Sequence, residues 1–206
     1  MNPDLARELG ALSLEHLGLV GASIAAAVAI ALPSAVFLAR RPLLRRSVLN
    51  VTNIIQAVPS LALFGLLLPL PLIGGIGKRT AIVALILYAL LPLLRNALLG
   101  ILGVDTSVRE SAIAMGMTPR QLLWQVELPL ALPAILAGIR IATVTTIGTA
   151  TIAAAIGGGG LGVFIFRGIA TVDMPTVLAG ALPAALMAVL ADEGLGWIER
   201  KSSPAR

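Results

Sequence analysis

The stretch LGLVGASIAAAVAIALPSAVFLA, from Leu17 to Ala39, contains no charged residue. Wound as a helix it extends about 34 Å, enough to cross a hydrocarbon core of about 30 Å. Arg40, Arg41, Arg45 and Arg46 follow it directly, and a cluster of guanidinium groups halts a span at the membrane surface. The run is therefore read as a transmembrane helix. Similar runs recur along the chain, giving five predicted spans at about 17–39, 47–72, 80–100, 130–156 and 174–197. The second has Pro59 in mid-run and leaves through Gly74, Gly75 and Gly77; the third carries Arg95 near its end, placed to snorkel toward the interface.

The composition points the same way. Of 206 residues, 58% are hydrophobic and only 12% charged, with a mean hydropathy of +0.98, whereas soluble domains run at about 25% charged. A surface that apolar is suited to lipid. Without cysteine the chain has no disulfide, thiolate metal site or cysteine nucleophile, and its one histidine, His16, leaves little for a metal centre or a triad. The net charge of +5 does not suggest nucleic acid: the basic residues sit in short clusters between apolar runs, and four Phe, two Trp and one Tyr offer few rings for stacking bases.

Five spans put the termini on opposite sides, and the basic residues orient them. One set of loops holds Arg40, Arg41, Arg45, Arg46, Arg95, Arg109, Arg120, Arg200, Lys201 and Arg206; the other holds Arg7, Lys78, Arg79 and Arg167. The richer side is expected to be cytoplasmic, with the N-terminus outside and the 200–206 tail inside. Residues 1–16 include Asp4, Glu8 and Glu15, unlike the basic start of a cleavable signal, and are expected to lie as an amphipathic helix on the outer surface. No internal repeat is visible, which argues against secondary transporters built from paired halves.

The long polar segment, 105–128, falls between the third and fourth spans on the predicted inner side. Ser107-Val-Arg-Glu110 has the form of a capping box and predicts a helix start. Gly116 fits the left-handed position past that helix's end, and Thr118-Pro119 predicts a second start with Thr118 as cap. Pro129 and Pro133 mark the return to the membrane. The result is a helix–turn–helix elbow presenting Ala112, Ile113, Met115 and Met117, a short methionine-bearing apolar face suited to a protein partner.

Glu110-Ser111-Ala112, Gly116 after three further residues, and Val126-Glu127-Leu128-Pro129 after nine more resemble the cytoplasmic "EAA" loop of ABC importer permeases, with Ser111 for Ala and Val126 for Ile. Gln56-Ala-Val-Pro59, Gly75-Ile-Gly77, Tyr88 to Asn96, Glu127 to Pro133 and Ala137-Gly138-Ile-Arg140 resemble the osmoprotectant branch, which carries glycine betaine, carnitine, choline and related solutes. The Gly157–Gly162 run is shared with methionine-type permeases. The resemblance implies an all-α type I importer permease: one transmembrane domain over 17–199 with a coupling elbow at 105–128, in a bacterial-type inner membrane. It implies a second permease subunit, identical or related, cytoplasmic ATPase subunits docked on the elbows, and an external binding protein. ATP and magnesium would belong to the ATPase, and this chain would bind no cofactor or metal.

Candidate site residues follow. For ATPase coupling they are Glu110, Ser111, Ala112, Met115, Gly116, Met117, Leu128 and Pro129, with Glu110 either touching the ATPase or closing the capping box. For the translocation path they are Gln56, Pro59, Arg140, Thr145 and Thr149, the alternatives being an interfacial Arg140, a tolerated bend at Pro59 and threonines that mediate helix packing. For an outer gate they are Gly157, Gly158, Gly159 and Gly160, which are otherwise a loop. Asp192 and Glu193 read as a solvated interface. The scattered rings form no evident aromatic cage for a quaternary ammonium, which places tight recognition on the binding protein. The alternative cargo is an amino acid such as methionine. A membrane-embedded enzyme lacks paired catalytic groups at depth, and a passive channel or scaffold remains as a remote alternative.

Overall fold

The structure, a computed structural model, describes residues 3–202 and is helical throughout its regular elements. Met1, Asn2 and positions 203–206 of the predicted tail, including Arg206, lie outside the described residues. The helices are α1 (Pro3–Ala39), α2 (Pro42–Ala57), α3 (Ser60–Leu67), α4 (Lys78–Leu102), α5 (Thr106–Ala114), α6 (Pro119–Leu122), α7 (Leu128–Ala150), α8 (Gly162–Thr171) and α9 (Met174–Ser202). Among the described residues four stretches are long and apolar enough to cross a membrane, and the bent pair α2–α3, taken as one span, makes a fifth.

Prolines set the breaks. Pro42 disfavours the helical region for the residue before it, so Arg41 sits at φ −133°, ψ 78° and α1 ends there, while Pro42 itself opens α2. Pro59 ends α2 in the same way, with Val58 extended at ψ 129°. The second predicted span is thus not one straight helix: α2 and α3 meet at 101°. The Tyr88 hydroxyl donates to the Val58 carbonyl at that break, supplying a partner that the interrupted helix no longer provides.

Three further expectations are corrected. Residues 3–16 do not lie as a separate surface helix but continue into the span as part of α1, because nothing between Glu15 and Leu17 interrupts a helix. At 37 residues, α1 is about 55 Å long, so its start projects beyond the membrane core. The second half of the elbow is also continuous with the fourth span, from Pro119 to Ile156. A π-turn at Leu123–Glu127 widens the helix just ahead of Pro129, whose ring would otherwise meet the carbonyl four residues back. Finally, the segment read as a loop before the fifth span contains α8.

The core is built from small residues. Ala27, Ala31 and Ala35 of α1, Ala89 and Ala97 of α4, and Ala131 and Ala142 of α7 are fully buried together. At Gly138 a Cβ would lie 2.7 Å from the Cβ of Asn96, so only glycine lets α7 come this close to α4. Close backbone approach and van der Waals contact hold helices together where lipid removes the hydrophobic drive.

Contacts sort the connections onto two ends. Lys78 at the start of α4 is bonded to Glu15 of α1, and Gly160 joins them. At the other end Arg40 donates to the Pro119 carbonyl at 3.4 Å, and Arg109 pairs with Glu127. The two ends separate the residues that the basic-residue count assigns to the two sides.

Candidate functional site

The elbow at the inner end is assembled from backbone caps. The Asp105 carboxylate accepts the Ser107 amide at 2.8 Å and caps α5; the sequence assigns that task to Ser107 with Glu110, and no such capping box forms. The cap lies two residues earlier because Asp105 already satisfies the amide that needs a partner. The Ser107 backbone N–H beside it holds the Asp105 carboxyl below the usual carboxylate range. Glu110 is left exposed and does not close a capping box.

α5 closes as the glycine requires. Gly116 stands at φ +83°, its amide bonds to Ile113 and that of Met117 to Ala112, the paired bonds of a Schellman motif. Thr118 then opens α6 with a complete capping box: its amide donates to Gln121 Oε1 at 2.9 Å, and the Gln121 amide donates back to its hydroxyl. Two capped helices therefore meet at one glycine, which fixes the angle between them.

The residues named for coupling divide in two. Glu110, Ser111, Met115 and Gly116 are exposed, with Met115 at 73% and its neighbour Ile113 at 58%. Pro129 is exposed farther along, at the base of α7. Ala112 is 2% exposed, and Met117 and Leu128 are half-buried; these anchor the elbow and do not present it. A bond that the sequence reading missed ties it down. Arg109 lies 3.2 Å from Glu127, which is 8% exposed, and also donates to the Ile101 carbonyl. It joins α5 to α4 and to the base of α7.

The candidate path residues are not gathered around one cavity within this chain. Gln56 and Pro59 lie exposed at the α2–α3 break. Thr145 is exposed on α7, and its hydroxyl and that of Thr149 donate to carbonyls of their own helix. Thr149 is half-buried, and Thr146 between them is buried in the chain's own packing. Arg140 is engaged elsewhere: its guanidinium grips the Asp192 carboxylate at 2.6 and 2.7 Å and reaches Glu199 at 3.4 Å. It thus clamps α7 to α9, and Asp192 is a partner in that clamp.

The glycine run is held. The Gly160 amide donates to Glu15 at 2.8 Å, and the same carboxylate meets Lys78 at 2.6 Å. A Cβ at Gly159 would lie 2.3 Å from Glu15, so the carboxylate occupies the space a side chain would need. His16, expected outside, is fully buried and its Nε2 lies 3.1 Å from the Ile147 carbonyl. Arg167 of α8 pairs with Glu8 at 2.7 Å. The outer end is therefore tied to the beginning of α1. Pairs this distant in sequence leave only one local sign, acidic residues on an otherwise apolar helix. Among the described residues no three His, Asp or Glu side chains gather as a metal centre would need.

Over residues 20–203 the chain matches the family described as binding-protein-dependent transport system inner membrane component. It is 48% identical over 181 residues to the carnitine transport permease protein OpuCD of Listeria monocytogenes, covering 87% of this chain and 80% of that one. It is 46% identical over 181 residues to the glycine betaine/carnitine/choline transport system permease protein OpuCD of Bacillus subtilis, covering 87% and 78%. With the osmoprotectant import permease protein OsmW of Salmonella typhimurium the identity is 42% over 191 residues, covering 92% and 89%. Among solved structures, a chain of the MetNI methionine ABC transporter in an inward-facing conformation superposes with a TM-score of 0.87 at 26% identity, covering 99% of this chain and 100% of that one.

Proposed function

The chain belongs to the family of binding-protein-dependent transport system inner membrane components, and from that premise we propose that it imports an osmoprotectant such as glycine betaine, carnitine, choline or proline betaine. It is a multi-pass membrane permease with the type I importer fold and a transport subunit rather than an enzyme, its relatives being named transport permease proteins. It works with an ATPase and an external binding protein, as its family's description implies. The cargo reading is supported by relatives at 42–48% identity named for carnitine, glycine betaine, choline or osmoprotectant transport. The methionine transporter stands further off, at 26%. The membrane proposed is a bacterial inner membrane.

The observation that carries the mechanism is the elbow: Ile113 and Met115 exposed at the tip of a doubly capped turn that Arg109 joins to α4 and α7. We assign Glu110, Ser111, Met115 and Gly116 to contact with a cytoplasmic ATPase, and Ala112, Met117, Leu128 and Pro129 to holding the turn. ATP and magnesium are bound by that ATPase, with none on this chain. When the ATPases close, the elbow is pushed as a unit and α4 and α7 move with it. A second permease subunit covers the Thr145–Thr149 face, so that the path lies between the two chains; the zwitterions among these solutes, glycine betaine, carnitine and proline betaine, carry no net charge and need no fixed counter-charge there. Gln56 and Pro59 border that path, while Arg140 acts from behind by fixing α7 on α9.

The test is uptake into proteoliposomes holding the assembled transporter and its binding protein. Radiolabelled glycine betaine, carnitine or choline should accumulate only with ATP, and excess methionine should not compete. Accumulation of methionine instead would overturn the cargo, and uptake unaffected by removing ATP would overturn the mechanism.

A further inference from the structure

A groove of about 860 Å³ opens at the inner end between the last turns of α1 and the helix that rises from the elbow. That is near the upper end for sites taking a drug-sized ligand, about 300–1,000 Å³. Its floor is apolar, formed by Leu32, Val36 and Ile135 with Leu128, and Phe37 and Trp124 stand at its sides, 55% and 64% exposed. Its remaining polar lining is basic: Arg40, Arg41 and Arg120, with no acidic residue among the lining side chains. Arg40 is turned across the mouth by its bond to the Pro119 carbonyl, and Arg41 lies 5.7 Å from the Phe37 ring.

We propose that this groove is a binding site for an anionic phospholipid of the cytoplasmic leaflet, with an acyl chain along the floor and the phosphate held by the three arginines. The placement is what such a lipid requires. The apolar part lies along two membrane-crossing helices, and the cations stand where those helices leave the core. Basic pockets between helices on the cytoplasmic side suit anionic headgroups, and an arginine fork matches phosphate oxygens geometrically. An uncharged or purely hydrophobic occupant leaves three guanidinium groups without a counter-ion. The lipid would brace α1 against the base of the elbow.

The test is native mass spectrometry of the assembled transporter, with its ATPase, released from nanodiscs of equal parts phosphatidylglycerol and phosphatidylcholine. Phosphatidylglycerol should be retained in preference. R41Q/R120Q should weaken its retention about 25-fold, and R40Q/R41Q/R120Q on the order of 100-fold, at about five-fold for each basic side chain at an anionic surface. Phosphatidylcholine retention should not change. Because R40Q also removes the bond to Pro119, the double variant carries the test should the triple variant fail to assemble. V36W keeps all three arginines but fills the floor, and should lower phosphatidylglycerol retention as well. Equal retention of the two lipids, or unchanged preference in R41Q/R120Q, overturns the proposal. So does disulfide cross-linking of W124C to a cysteine on the second permease subunit, which would mean that protein covers the groove.

Discussion

Gly116 controls the elbow through its backbone alone. Its φ of +83° is open to glycine, while nothing lies within 4 Å of the place where a Cβ would be. Substitution is therefore penalised by conformation and not by collision, at about 1–2 kcal/mol for an ordinary residue. Gly116→Asn should retain most of the ATPase that co-purifies with wild type, Gly116→Ala less, and Gly116→Val least, while membrane insertion stays equal. An order that follows side-chain volume alone, with Asn worse than Ala, would contradict this. Asp105 gives a pH signature. The folded state holds its carboxyl below the usual range, so the cap is fully present above the ordinary carboxylate pKa and is lost as pH falls through the lowered, folded value. The protection factor of the Ser107 amide, its exchange rate taken relative to the intrinsic rate at each pH, should fall over that acidic window in wild type, and Asp105→Asn should remove that fall. The glycine was legible because αL chemistry is local. The cap was misplaced by two residues because Asp105 and Ser107 are both good caps, and sequence spacing does not choose between them.

Between helices, long-range charge pairs set positions that hydropathy cannot reveal. Arg140 and Asp192 are 52 positions apart, and each alone reads as an interfacial residue. Gly196 makes room for them: a Cβ there would lie 2.9 Å from the Arg140 guanidinium. Arg140→Lys loses the two-pronged grip and should lower thermal stability, and Arg140→Ala more so because Asp192 then loses both hydrogen bonds that tie it to α7. Unchanged melting in detergent for Arg140→Ala would remove the clamp from the account. The break between α2 and α3 is a second device of this kind. Pro59 announced a bend, but not that Tyr88 holds the Val58 carbonyl beside it, a contact that no local pattern encodes. Tyr88→Phe leaves that carbonyl unpaired and should cost about 1–3 kcal/mol, read as a lower melting temperature with the chain still inserted. The same blindness explains α8 and the continuity of α1: short apolar runs near glycines look like loops, and a few acids on a helix look like its boundary.

For the whole molecule, the spans were readable because they depend on summed hydropathy. The lining of a path was not, because Thr145 is exposed and Thr149 half-buried on α7, away from any cavity that gathers the candidate path residues within this chain. The central claim is that the exposed elbow receives the force of a separate ATPase. The chain has no cysteine, so Met115→Cys introduces a single reactive thiol at the elbow tip. The direct measurement is cross-linking of that thiol to the purified ATPase in proteoliposomes, with ATP-driven solute uptake followed before and after. The expected result is a permease–ATPase adduct whose formation stops uptake and which a reducing agent reverses. Failure of the thiol to reach the ATPase in a transporting complex, or full uptake with the elbow cross-linked, would contradict the account.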